Sequence, residues 1–65
     1  MNLQEFDDLA KAGKVKATLS SSVLKIPRHV ERIFGSSSGF IRFRFKGDGF
    51  DTMCGTGSVI FTIKP

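Results

Sequence analysis

Apolar residues recur at Leu3, Phe6, Leu9 and Ala10, a spacing that gathers them into one stripe of a helix. Asn2 precedes the stripe as an N-cap, and Glu5, three residues on, completes a capping-box pattern. Asp7 and Asp8 lie toward the N-terminal half and Lys11 in the last turn, as the helix dipole favours. Gly13 supplies a left-handed residue to stop the helix. The period then changes. Val15, Ala17 and Leu19 alternate with Lys14, Lys16 and Thr18, which predicts a half-buried strand. Ser20-Ser21-Ser22 interrupts it, and Val23 to Ile26 resumes an extended run.

Pro27 suits the first turn of a helix, where its missing N–H is not needed. The spacing of Val30, Ile33 and Phe34 therefore predicts a short second helix over Pro27–Phe34. Arg28, Glu31 and Arg32 would face water, Gly35 would close it, and residues 36–39 would form a loop. Phe40 to Lys46 is the clearest strand, with Ile41, Phe43 and Phe45 on one face and Phe40, Arg42, Arg44 and Lys46 on the other. Gly47-Asp48-Gly49 is turn chemistry, and Phe50–Gly57, which has no clean period, reads as a loop or a bent edge strand. A last strand over Ser58–Lys64 turns Val59, Phe61 and Ile63 inward. The expected fold is α+β: an N-terminal helix, a short second helix, and a curved, small-barrel-like antiparallel sheet of about four strands.

Phe40, Phe50, Met53 and Ile60 find no place on the core faces so assigned. Sixty-five residues make one domain, residues 1–65, and a chain of this size buries only about 60% of the surface its unfolded state exposes. Cys54 is the only cysteine and His29 the only histidine, so no internal disulfide forms and no structural zinc site or cofactor is expected. What is left to stabilise the domain is packing and self-association, and the surplus apolar residues point to a homodimer. No run reaches the 18 or so apolar residues of a membrane span, and the N-terminus lacks the features of a signal peptide. The expected setting is cytoplasmic, with no membrane partner.

Ten Lys and Arg against six Asp and Glu give a net charge of +4, unevenly placed. The first ten residues hold Glu5, Asp7 and Asp8 and no base, so the body of the chain is strongly cationic and suited to polyanions. Catalytic chemistry is poorly supplied. His29 has cationic neighbours in Arg28 and Arg32, which cannot orient it as a base, and Cys54 has no nearby cation to make it a thiolate. Asp48 and Asp51 offer too few oxygens for a calcium loop. Gly55-Thr56-Gly57-Ser58 lacks the lysine and spacing of a phosphate loop and reads as a turn. The expectation is a protein that is not an enzyme.

One constellation stands out. Phe40, Arg42, Arg44 and Lys46 project from one strand face with cations about 6.5–7 Å apart, a spacing that suits successive phosphates, and Phe40 is placed to stack on a base. The other reading is a solvated face whose charges discourage edge-to-edge aggregation.

The run from Lys16 to Gly35, with its strand, Ser20-Ser21-Ser22 turn, second strand ending in Ile26-Pro27 and short basic helix closed by Gly35, resembles the swapped-hairpin domains of the AbrB and MazE type. The resemblance implies two chains intertwined into one barrel and a DNA surface around the first hairpin, made here of Lys16, Ser20, Ser21, Ser22, Lys25 and Arg28. Nucleic acid is thus the expected partner, DNA ahead of RNA. The alternative is a regulator or inhibitor that docks on a larger protein through its leftover apolar residues.

Overall fold

The computed structural model describes residues 2–64. One helix, α1 (Leu3–Lys11), precedes five strands: β1 (Val15–Leu19), β2 (Arg28–Ser37), β3 (Phe40–Phe45), β4 (Asp51–Gly55) and β5 (Val59–Ile63). The strands form one antiparallel sheet in the order β4-β3-β2-β1-β5. The fold is therefore α+β, with five strands where about four were expected. No described helix is long and apolar enough to cross a membrane.

α1 forms as its sequence dictates. The Asn2 side chain caps it by accepting from the Glu5 N–H at 2.8 Å, and Lys11 occupies its last turn. Phe6, Leu9 and Ala10 pack against the inward face of the sheet, and Gly13 leaves the helix at φ 76°. The core is built from Val15 and Ala17 of β1, Val30 and Ile33 of β2, Ile41, Phe43 and Phe45 of β3, and Val59 of β5. Four aromatic rings join end to edge through it. Phe45 meets Phe43 at 5.0 Å, Phe43 meets Phe61 at 5.3 Å, and Phe61 meets Phe6 at 5.1 Å, all close to perpendicular.

β4 and β5 lie at opposite edges of the sheet, yet only residues 56–58 separate them. A flat sheet would hold the edges about 19 Å apart, whereas so short a link reaches about 14 Å at most. The sheet must bend strongly, and hydrogen bonds mark where its ends approach: Thr56 N–H donates to Gly39, Ser58 N–H to Gly55, and Ser20 N–H to Ser58. The bending stops short of closure, so the small barrel expected from the sequence is an open, curved sheet.

The second helix does not form. Residues 28–37 are strand β2, which pairs with β3 along its length and with β1 only through Arg28 and His29. Its register against β3 carries two bulges, with Glu31 and Phe34 each inserted as an extra residue. A bulge adds one residue to a period of two, so Val30 and Ile33 face inward three positions apart and imitate helical spacing. Their branched side chains, and the ring of Phe34, favour the strand. Phe34 is half-buried on the outer face, and Gly35 closes no helix. Ser36 and Ser37 belong to β2. The turn is the pair Ser38-Gly39 alone, both left-handed at φ 52° and 79°, as a two-residue hairpin turn with the sheet's twist requires. Val23 to Ile26 is not extended into a strand but lies in the exposed loop of residues 20–27.

Candidate nucleic-acid interface

β3 presents its outer face as the alternation requires: Phe40, Arg42 and Arg44 turn away from the core, and Lys46 follows with its N–H donating to the His29 carbonyl at 3.0 Å. The arginines, however, are engaged. Asp51 of β4 stands directly across from Arg44, and its two oxygens divide the pair between them. Oδ2 accepts from Arg42 Nε at 2.9 Å and from its Nη2, while Oδ1 accepts from Arg44 Nε at 3.1 Å and Nη2 at 2.8 Å. Arg44 also reaches Glu31 at 3.7 Å. The Arg42 hydrogen bonds hold the Asp51 carboxyl below the usual carboxylate range; desolvation opposes them, and the Arg44 hydrogen bonds add to the lowering. Both guanidinium groups also lie against the ring of Phe34, at 5.5 and 5.1 Å, with Arg32 beside it at 5.4 Å.

Arg28 and Arg32 are likewise held. Arg28 pairs with Asp48 in the β3–β4 turn and lies 4.4 Å over the ring of Phe45. Arg32 donates to Asp7 of α1 through Nε and Nη2. All four arginines thus have carboxylate partners, as does Lys11 with Asp7 and Asp8. The remaining five lysines, Lys14, Lys16, Lys25, Lys46 and Lys64, make no ion pair among the described residues.

Four of these five lysines collect at one end of the sheet. Lys64 N–H donates to the Lys14 carbonyl at 2.7 Å, joining the start of β1 to the end of β5, and Lys16 stands opposite both His29 and Thr62. Lys14, Lys16, His29, Thr62 and Lys64 line a surface hollow of about 470 Å³. A second hollow, which shares His29 and Gly13 with the first, carries Lys46 and Lys11. Glu31, which also pairs with Arg44, lines the second hollow, and against Lys11, Lys14, Lys16, Lys46 and Lys64 it leaves this end with an excess of positive charge among the described residues.

Of the residues expected from the sequence, Lys16 and Lys46 therefore meet at the lysine end, while Arg28, Arg42 and Arg44 are tied to carboxylates. Lys25 lies apart in the loop of residues 20–27, left-handed at φ 49°. Ser20, Ser21 and Ser22 open that loop as a tight turn, with Ser22 N–H donating to Leu19. Lys14 and Lys64 were not among the expected site residues, because they meet only when the first and last strands pair. His29 sits between the lysines, lining both hollows.

Phe40, half exposed at 51%, borders a different feature at the opposite end of β3. Phe34, Gly35, Ser37, Phe40, Arg42 and Met53 enclose a hollow of about 390 Å³ on the outer face. Cys54, the neighbour of Met53, points the other way into the core, and burial pushes its thiol up, away from reactive thiolate. Among the described residues no group of His, Cys, Asp and Glu could hold a metal ion. No family model matches the chain, and neither a curated protein nor a solved structure matches it.

Proposed function

We propose that this domain is a small, non-catalytic nucleic-acid-binding protein that grips the sugar–phosphate backbone at its lysine end, with DNA the first ligand to test. The observation that carries the reading is the division of its cations. Carboxylates neutralise the arginines, while Lys14, Lys16, Lys46 and Lys64 stand together without ion-pair partners among the described residues. Unpaired lysines on one side of a small domain gain from phosphate by releasing counterions, and this attraction needs no sequence-specific contact. Four phosphate contacts give a slope of log K against log salt of about −2.8 for a single strand or about −3.6 for a duplex. Lys14→Gln with Lys64→Gln should weaken binding and flatten the single-strand slope by about 1.4. Fluorescence anisotropy of labelled oligonucleotides at several salt concentrations measures both. A double variant that binds with the parent's affinity and slope would remove the reading.

A second reading is favoured by a separate observation. The loop of residues 20–27 leaves Val23 96% exposed and holds Leu24 and Ile26 largely in water. Three adjacent apolar side chains so placed suit burial against a protein surface, either a larger partner or a second copy. Binding that survives nuclease and high salt, and is lost in Leu24→Ser, supports this reading over the first.

A further inference from the structure

We infer that the hollow at the tip of the β2–β3 hairpin receives an unpaired nucleobase, so that the ligand of this domain is single-stranded. The inference rests on the nucleic-acid reading above and deepens it.

The hollow exists because β2 is bulged at Phe34 and because the residue after the bulge is glycine. Gly35 stands opposite Arg42, and paired antiparallel residues share a face, so a side chain at position 35 would project outward into the hollow. A Cβ built there meets nothing within 4 Å. Around this open floor stand Phe34, Phe40, Met53, which is 66% exposed, Ser37 and Arg42.

Arg42 is held in place. Asp51 binds it through Nε and Nη2, leaving Nη1 without a hydrogen bond among the described residues. A guanidinium fixed on one side offers a ready donor on the other, at little further loss of side-chain freedom. Aromatic walls for a planar ring and a polar group for its edge suit a base, which needs both stacking and hydrogen bonding. An aliphatic side chain would leave the open side of the guanidinium without a partner. In a duplex each base is stacked on its neighbours and paired at its edge, so only a splayed, unpaired base can enter.

The position also fits the lysine end. Phe40 and Lys46 are six residues apart on an extended chain, or about 20 Å. That length corresponds to the smaller single-strand binding sites, about 4 nucleotides. A strand with its phosphates on Lys46, Lys16, Lys14 and Lys64 can run along β3 to place one base in the hollow.

The test uses the whole chain, a labelled 12-nucleotide single strand, a duplex of the same sequence, and a single strand carrying one 2-aminopurine. Phe40→Ala should weaken single-strand binding about 5- to 150-fold, the range for removing one stacking contact. Gly35→Val should weaken it comparably by filling the hollow, and its backbone tolerates the change because Gly35 is not left-handed. Circular dichroism verifies that both variants keep the fold. The parent should prefer the single strand and quench 2-aminopurine, and both variants should lose the quenching. If single strand and duplex bind equally and both variants match the parent, the base hollow is overturned while the lysine end stands. If the parent binds no oligonucleotide, both fail together. If the variants leave oligonucleotide binding intact but convert a dimer to a monomer, the hollow belongs to a second copy of the chain, and the inference is overturned.

Discussion

Asp7 joins the helix to the sheet through several contacts at once. Its Oδ1 accepts from the Ile33 N–H at 2.9 Å and from Arg32, and its Oδ2 pairs with Lys11 at 3.4 Å. Partial burial raises its carboxyl, but the hydrogen bonds from Arg32, Ile33 and Lys11 outweigh that effect and hold it below the usual carboxylate range. Replacing Asp7 by Ala would leave the Ile33 amide without an acceptor, and chemical denaturation should show a loss of about 1–3 kcal/mol. The pH dependence follows from the sign of the shift. Asp7 and Asp51 both titrate lower folded than unfolded, so the stability they contribute is complete above the unfolded carboxylate value of about 3.9 and is lost as pH falls through the folded values. The thermal midpoint should hold steady from neutral pH to about 5 and fall below about 4, less steeply in Asp7→Ala. A midpoint that rises on acidification would contradict this. Asp51 is a surface group whose main effect is to fix Arg42 and Arg44, so replacing both arginines with glutamate would crowd three carboxylates together and is no clean test of binding.

At the scale of elements, β2 decides the architecture. Only its first two residues pair with β1, and beyond them α1 lies against the strand and supplies the Asp7 carboxylate in place of a neighbouring backbone. The helix is therefore anchored by its apolar stripe and by one polar contact at a bulge. Removing the Phe6 ring, which meets Phe61 edge to face and packs on the core, should cost about 2–4 kcal/mol. Hydrogen exchange should then show the Ile33 amide opening faster in Phe6→Ala than the amides of β3. Equal protection of Ile33 in parent and variant would mean that α1 does not cover this edge. The first helix, β1, β3 and β5 were legible because each keeps one uninterrupted period. β2 was not, since two inserted residues convert alternation into a spacing of three, and the sequence of β4 suits a loop as well as an edge strand because it has no apolar face of its own.

For the whole molecule, the exposed apolar residues set the expectation of self-association. Val23, Leu24 and Ile26 form one group on the loop of residues 20–27, and Ile60 and Phe50 lie exposed elsewhere. A 7.1 kDa chain that leaves so many large side chains in water gains by burying them against a second copy. Light scattering coupled to size exclusion at low micromolar concentration should give about twice the chain mass, and Val23→Ser with Leu24→Ser should return it to the monomer. A parent mass equal to one chain throughout that range would remove the dimer, and with it the intertwined arrangement that the AbrB and MazE resemblance implies.

The sequence by itself determined the α+β class, the capped N-terminal helix and the inward faces of β1, β3 and β5, because local periodicity and capping act between residues close in the chain. It also determined the cationic excess. Which cations are free was decided only by the tertiary structure. Arg42 and Arg44 find Asp51, Arg32 finds Asp7 and Arg28 finds Asp48 across distances of 7 to 25 residues. Lys14 and Lys64 come together only when the first and last strands pair. Charge is a property of composition, but an available charge depends on which carboxylates the folded chain brings within reach.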